Sequence, residues 1–346
     1  MLTNRFIKQL FLLKVLSLGI MGITCAGVMP TLASVMYYPL IDLLKPNLQQ
    51  PIRPSEKLDY ATLRERARKL TVKVNVGKSN GSGILIGRKQ QQQEYVYTVA
   101  TNAHVVRPDK VYKIATHDNK LYPANLHQAI HGKSQNLNHN LFKGNDLAIL
   151  QFRSREIYPV ASLAQSIPFP IGAEVYAAGF PFDLNTGLSN QFRFLPGMVV
   201  LRTGQPINRG YQLAYTIDVK KGMSGGPLLN RAGQVIGING MGAYPLNNNV
   251  YNLPDGTKPC KSLLPIMQES SFAIPIDTLM GLASTTLKIN YAPVMQDISP
   301  RIGVVLENGK YDLRSWEEQR KNRDTSVAKL RLQQRVSKAM ANCGLF

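Results

Sequence analysis

Gly222-Met223-Ser224-Gly225-Gly226-Pro227 is the stretch on which the fold turns. Glycine on both sides of a serine allows a tight turn with dihedrals that other residues rarely adopt. Such a turn aims the N–H groups of Gly222 and Ser224 at one point outside the chain, the arrangement of an oxyanion hole. A serine hydroxyl becomes a useful nucleophile only when a base takes its proton and developing negative charge is stabilised. Without those partners the same six residues are an ordinary glycine-rich turn, so the rest of the chain decides.

Two other motifs supply candidates. Thr101-Asn102-Ala103-His104-Val105-Val106 follows the apolar run at 95–100, which puts an imidazole at a strand end with one face open, as a general base requires. The other histidines (His117, His127, His131 and His139) lie in polar, loop-like sequence. Asn145-Asp146-Leu147-Ala148-Ile149-Leu150 opens another apolar run with a carboxylate. A buried carboxylate needs a partner, and the imidazole N–H of His104 is one that would also fix the ring tautomer. Taken singly, His104 reads as a core histidine and Asp146 as a strand-edge aspartate. Together they stand in the order His, Asp, Ser, with His104 and Asp146 in the first half of the chain and Ser224 in the second.

The texture around these motifs is that of many short strands. From residue 71, Val72, Val74 and Val76 alternate with polar neighbours, the period-two pattern of a half-buried strand. Similar runs recur at 83–86, 95–100, 111–115, 147–152, 175–178, 197–201, 211–219, 226–229, 235–238 and 271–276. Turn residues separate them, which predicts an all-β barrel or sandwich. Residues 166–172 read as a joint between halves, Gln90–Gln93 as a hairpin tip, and no internal repeat is visible. The segment 55–70 is compatible with a helix.

On these motifs the chain resembles trypsin-like serine peptidases, nearest to the bacterial branch of HtrA/DegP and glutamyl endopeptidases. Gly81-Ser82-Gly83-Ile84-Leu85-Ile86 is similar to the strand preceding the histidine in HtrA-type enzymes, and Ser271-Phe272-Ala273-Ile274-Pro275-Ile276 to their last strand. The resemblance implies two six-stranded antiparallel β-barrels, 70–156 and 172–282, with the site in the cleft between them, and a C-terminal helical tail. It implies a serine endopeptidase working through an acyl-enzyme on protein or peptide substrates, with no cofactor and no metal. His104 would be the base, Asp146 its orienting partner, Ser224 the nucleophile, and the Gly222 and Ser224 amides the oxyanion hole. A protease-like scaffold that binds without catalysis is the rival reading; degenerate motifs would mark it, and here all three are intact. Two features depart from relatives: Met223 stands where animal trypsins carry an Asp that pairs with a new amino terminus, and the residues after 285 are too few for a PDZ domain.

Specificity stays open at this level. Asp218, six residues before the serine, stands where trypsin-like enzymes carry the carboxylate that selects Arg or Lys. Against that, Asp218 can pair outward with Lys220 or Lys221, and those lysines can instead favour acidic substrate. Asn239-Gly240-Met241-Gly242 is expected to supply the strand that pairs with substrate backbone, with Asn239 and Gly240 as substrate-binding residues and small side chains that leave the pocket open for a small or apolar residue.

Composition sets the surroundings. The chain has 346 residues, 44% of them apolar, and a formal charge of +20 from 41 Lys+Arg against 21 Asp+Glu. Such a charge favours acidic partners, and an anionic envelope surface is a candidate. The absence of a zinc-finger, RNP-like or dense arginine motif argues against nucleic acid. Arg5, Lys8 and Lys14 precede an uncharged apolar run ending at Thr31-Leu32-Ala33, the pattern of an export signal at 1–33 cleaved into the periplasm or medium, or of an uncleaved anchor. Residues 34–69 read as a linker with a short helix, 70–285 as the peptidase domain and 286–346 as a basic tail. In the tail, Ala328, Leu332, Val336 and Met340 recur at helical spacing, either to pack on the barrels or to meet a membrane or partner. Cys25 would leave with the signal; Cys260 and Cys343 would then form a disulfide or remain as two thiols.

Overall fold

The computed structural model describes residues 58–77, 79–106, 111–127, 144–164, 169–182, 191–245, 248–286 and 325–343. The expected export signal and cleavage site, the linker up to residue 57, residues 166–168 of the joint, His131, His139 and the tail at 287–324 lie outside them.

Helix α1 (Tyr60–Leu70) is capped by Asp59, whose side chain accepts the Thr62 amide. It leads directly into β1 (Thr71–Val76), β2 (Ser79–Gln91), β3 (Glu94–Thr101), β4 (Tyr112–Ala115), β5 (Leu121–Leu126) and β6 (Ala148–Ser154). These close into an antiparallel barrel in the order β1-β2-β3-β6-β5-β4. β7 (Glu174–Gly179), β8 (Arg193–Arg202), β9 (Leu213–Tyr215), β10 (Pro227–Asn230), β11 (Val235–Met241) and β12 (Ser271–Pro275) close a second barrel with the corresponding order, β7-β8-β9-β12-β11-β10. Three helices follow or interrupt it: α2 (Leu264–Gln268), α3 (Ile276–Thr286) and α4 (Thr325–Ala341).

Each barrel has its own interior, and a third apolar layer joins them. Val72, Val74, Leu85, Val99 and Leu150 fill the first barrel. Val175, Ala177, Val199, Leu228 and Ile236 fill the second. The opposite faces of the same strands, Ile84 and Ile86 on β2, Ile149 on β6, Tyr176 and Ala178 on β7, pack into one cluster with Leu63, Ala67 and Leu70 of α1 and Leu332 and Val336 of α4. Successive side chains of a strand face opposite ways, so strands buried on both faces read as unbroken apolar runs. The expected hairpin tip is present: Gln91 pairs Glu94, and Gln92 takes φ 53° in the turn between them.

Three expectations change. β5 was not foreseen; Pro123 within it has no N–H to donate and disqualifies the run from sequence, although β4 and β6 both pair with it. The strand expected over 211–219 is confined to Leu213–Tyr215, because residues 216–226 leave the sheet to build the turn around Ser224. The helix before residue 70 is a packed part of the core, not a tether, with Leu63, Ala67 and Leu70 at most 2% exposed.

Candidate active site

The ends of β3 and β6 bring the histidine and the aspartate together. His104 follows β3 in a turn where the Val105 and Val106 amides donate to the carbonyls of Asn102 and Ala103. Asp146 precedes β6 and is 1% exposed. Its Oδ2 accepts from His104 Nδ1 at 2.5 Å and its Oδ1 from the His104 backbone amide at 2.8 Å. The Tyr211 hydroxyl donates to Oδ2 at 2.6 Å. Asn102 Nδ2 donates to the Asp146 carbonyl at 2.8 Å. Burial pushes the Asp146 carboxyl up, but the hydrogen bonds and charge of His104, with the Tyr211 hydroxyl, outweigh it and hold the group below the ordinary carboxylate value. Burial and the neighbouring Asp146 charge push the Tyr211 phenol well above its ordinary value, so it remains the donor.

Ser224 sits in a turn that only glycines permit. Gly222 and Gly225 take φ of 95° and 85°, and a Cβ on Gly225 would stand 2.1 Å from the Ser82 carbonyl oxygen. Met223 between them is fully buried in the second barrel's interior. The Phe182 amide donates to Lys221 O at 2.7 Å, and across a trans peptide this turns the Gly222 N–H the opposite way. Ser82 Oγ donates to Gly222 O at 2.7 Å and accepts from the Phe180 amide at 2.9 Å, while the Ser82 amide donates to Ser224 O at 2.8 Å. Among the described residues neither the Gly222 nor the Ser224 amide donates to a protein acceptor. The Ser224 hydroxyl donates to Gly240 O at 3.4 Å and makes no hydrogen bond to His104.

The expected specificity residues separate. Gly240 is beside the serine, with its carbonyl facing the hydroxyl. Asn239 does not border the cleft: it is fully buried, donates from Nδ2 to Pro227 O at 3.0 Å, accepts the Tyr215 hydroxyl at 2.9 Å, and exchanges backbone hydrogen bonds with Gly225 and Gly226. Asp218 is half-exposed and paired with Lys220, whose cation offers it a solvent-facing partner. Sequence reasoning passed over Tyr211 and the Ser82 hydroxyl. Both act through residues distant in sequence, 65 and 140 positions away, so no local pattern marks them.

Residues 81–238 match the family model described as a trypsin-like peptidase domain. A protein of Pseudomonas savastanoi pv. phaseolicola named a probable periplasmic DegP-like serine endoprotease is 30% identical over 141 residues, 40% of this chain and 24% of the relative. A protein of the same name from Rhizobium meliloti is 26% identical over 245 residues, 67% of this chain and 40% of the relative. The mitochondrial serine protease HTRA2 of Drosophila willistoni is 29% identical over 171 residues, 47% of this chain and 33% of the relative. The chain thus spans well under half the length of these curated relatives.

Proposed function

From the premise that this chain carries a trypsin-like peptidase domain, we propose that it is a serine endopeptidase acting through His104, Asp146 and Ser224. His104 Nε2 takes the Ser224 proton as the hydroxyl oxygen attacks the scissile carbonyl carbon. The carbonyl oxygen, now negative, is received by the Gly222 and Ser224 amides. Collapse of the tetrahedral intermediate breaks the C–N bond, and His104 returns the proton to the leaving amine. Water, deprotonated by the same ring, then hydrolyses the acyl-enzyme. Asp146 stays ionised throughout, holding Nδ1 protonated and the ring in place. The observation that carries the reading is the buried carboxylate gripping both Nδ1 and the backbone amide of His104. The attack requires the Ser224 side chain to swing from Gly240 O towards the ring, a rotation about χ1.

The test is Ser224→Ala together with a serine-directed fluorophosphonate. Wild type is expected to label and to hydrolyse casein; Ser224→Ala is expected to do neither while keeping its melting temperature. Labelling of neither protein, with equal casein hydrolysis, defeats the proposal, and labelling of wild type defeats the rival reading of a silent binding scaffold.

Two finer statements belong to the same reading. The pairing of Asp218 with Lys220 supports a small or apolar residue at the cleaved position over a basic one. Kinetics on Arg-, Glu- and Leu-ending chromogenic peptides test it, and a preference for Arg that Asp218→Asn abolishes would reverse it. Export to the periplasm or medium is supported by the basic-then-apolar start, by relatives named periplasmic, and by the Cys260–Cys343 disulfide, a bond that persists in oxidising compartments. Fractionation of cells expressing the full chain decides the location.

A further inference from the structure

We propose that Tyr211 is a positioning residue of this site, which reaches from the second barrel to lock the Asp146 carboxylate in register for His104, and that residue 240 is glycine to let its hydroxyl in. The inference rests on the triad reading above. Tyr211 lies just before β9, a strand anchored between β8 and β12, so it belongs to the second barrel, whereas Asp146 and His104 are borne by the first. The segment ending at Tyr211 grips Asp146 twice: the Asp146 amide donates to Arg209 O at 2.9 Å, and the Tyr211 hydroxyl donates to Oδ2 at 2.6 Å. Arg209 takes φ 65°, a conformation a non-glycine residue adopts only when its surroundings hold it there. A carboxylate rotates easily about its last torsion. With one donor on Oδ1 and two on Oδ2, that rotation is blocked, and the oxygen facing Nδ1 stays where the imidazolium needs it.

Gly240 shows how the hydroxyl is accommodated. A Cβ built there would stand 2.2 Å from the Tyr211 hydroxyl oxygen and 2.6 Å from a ring carbon, closer than any real contact. Residue 240 also offers its carbonyl to the Ser224 hydroxyl. A side chain at 240 would therefore push the phenol away from Asp146 from the very strand that borders the serine. Tyr211 and Gly240 form one device, and the orientation of the base depends on correct docking of the two barrels.

The experiment compares Tyr211→Phe, Gly240→Ala and their combination with wild type and Ser224→Ala, reading kcat, KM, melting temperature and the downfield proton resonance of the His104–Asp146 hydrogen bond. Tyr211→Phe keeps the buried ring and is expected to lower kcat about tenfold, the loss of one hydrogen bond to a charged group, with KM unchanged and the resonance moved. Gly240→Ala, which displaces the hydroxyl without deleting it, is expected to lower kcat and to move the same resonance. The two losses in kcat do not multiply in the double variant, because both remove the same contact. Tyr211→Phe with wild-type kcat and resonance overturns the inference, as does full multiplication in the double variant. If Tyr211→Phe fails to fold, Gly240→Ala decides through its kcat and resonance. Activity that survives Ser224→Ala sinks the triad reading itself, an outcome separate from the failure of Tyr211 alone.

Discussion

Asp146 must stay ionised where burial opposes it, and its partners set a pH signature. Its folded-state value lies below the ordinary 3.8, so the group contributes stability above that pH and the contribution is lost as pH falls through the depressed value. Melting temperature measured from neutral to strongly acidic pH is expected to fall less steeply for Asp146→Asn than for wild type; equal acid slopes would show that the carboxylate's contacts contribute nothing net. At the same scale, Ser82→Ala leaves the Gly222 carbonyl and the Phe180 amide without their partner. Buried groups stranded in this way cost about 1–3 kcal/mol each. The variant is expected to melt lower and to lose kcat more than KM, as the Gly222 peptide is freed to turn. Unchanged kcat in Ser82→Ala would remove the clamp from the argument. The motif residues were readable because glycine, histidine and aspartate carry their chemistry in their identity and context. The hydroxyls of Ser82 and Tyr211 were not, because their roles exist only once the barrels have met.

Among the elements, those whose side chains repeat at the strand period were legible, and those shaped by tertiary partners were not. β1 announces itself in Val72, Val74 and Val76. β5 buries only Ala124 among its six residues and includes Pro123, so nothing in its own sequence pays for its ladder; β4 and β6 impose it. α1 was legible as a helix but not as core, since the surface that receives Leu63, Ala67 and Leu70 comes from residues as distant as Phe194 and Tyr176. Tyr60 reinforces it by donating to Phe194 O at 3.0 Å. The serine turn is ordered by fully buried Met223 and by Ser82, which lies within the first barrel. Chains shortened to start anywhere between residues 34 and 58 are therefore expected to turn over substrate equally, while a chain starting at 70 is expected to melt markedly lower. Activity that appears only on release of one particular new N-terminus between 34 and 58 would contradict this.

Across the whole molecule, the two barrels share one pairing order without any repeat visible in the sequence. A shared fold constrains which positions face inward, not which apolar residue fills each, so the symmetry is invisible residue by residue. The tail shows the same limit from the other side. Its helical spacing was plain, yet whether α4 packs on the barrels or faces elsewhere could not be read from one strip of sequence. Leu332, Val336, Ala339 and Met340 are buried in the layer that joins the barrels. Arg335 holds Glu269 through two hydrogen bonds of 2.8 and 2.9 Å, and Gln333 donates to Ile171 O at 3.1 Å. Cys343, just past the end of α4, is joined to Cys260 across a separation of 83 residues. Closing a loop of that length restricts the unfolded chain far more than the folded one, which stabilises by about 2–4 kcal/mol in the usual case. Reduction, or the paired replacement Cys260→Ser with Cys343→Ser, is expected to lower the melting temperature of the full chain. Because α4 keeps its apolar face and its Arg335–Glu269 pair, it is expected to stay docked at ambient temperature and kcat to be retained. Thiol titration of the unreduced, denatured protein should find neither Cys260 nor Cys343 reactive. Two free thiols there, or identical melting with and without reductant, would leave α4 held by packing alone.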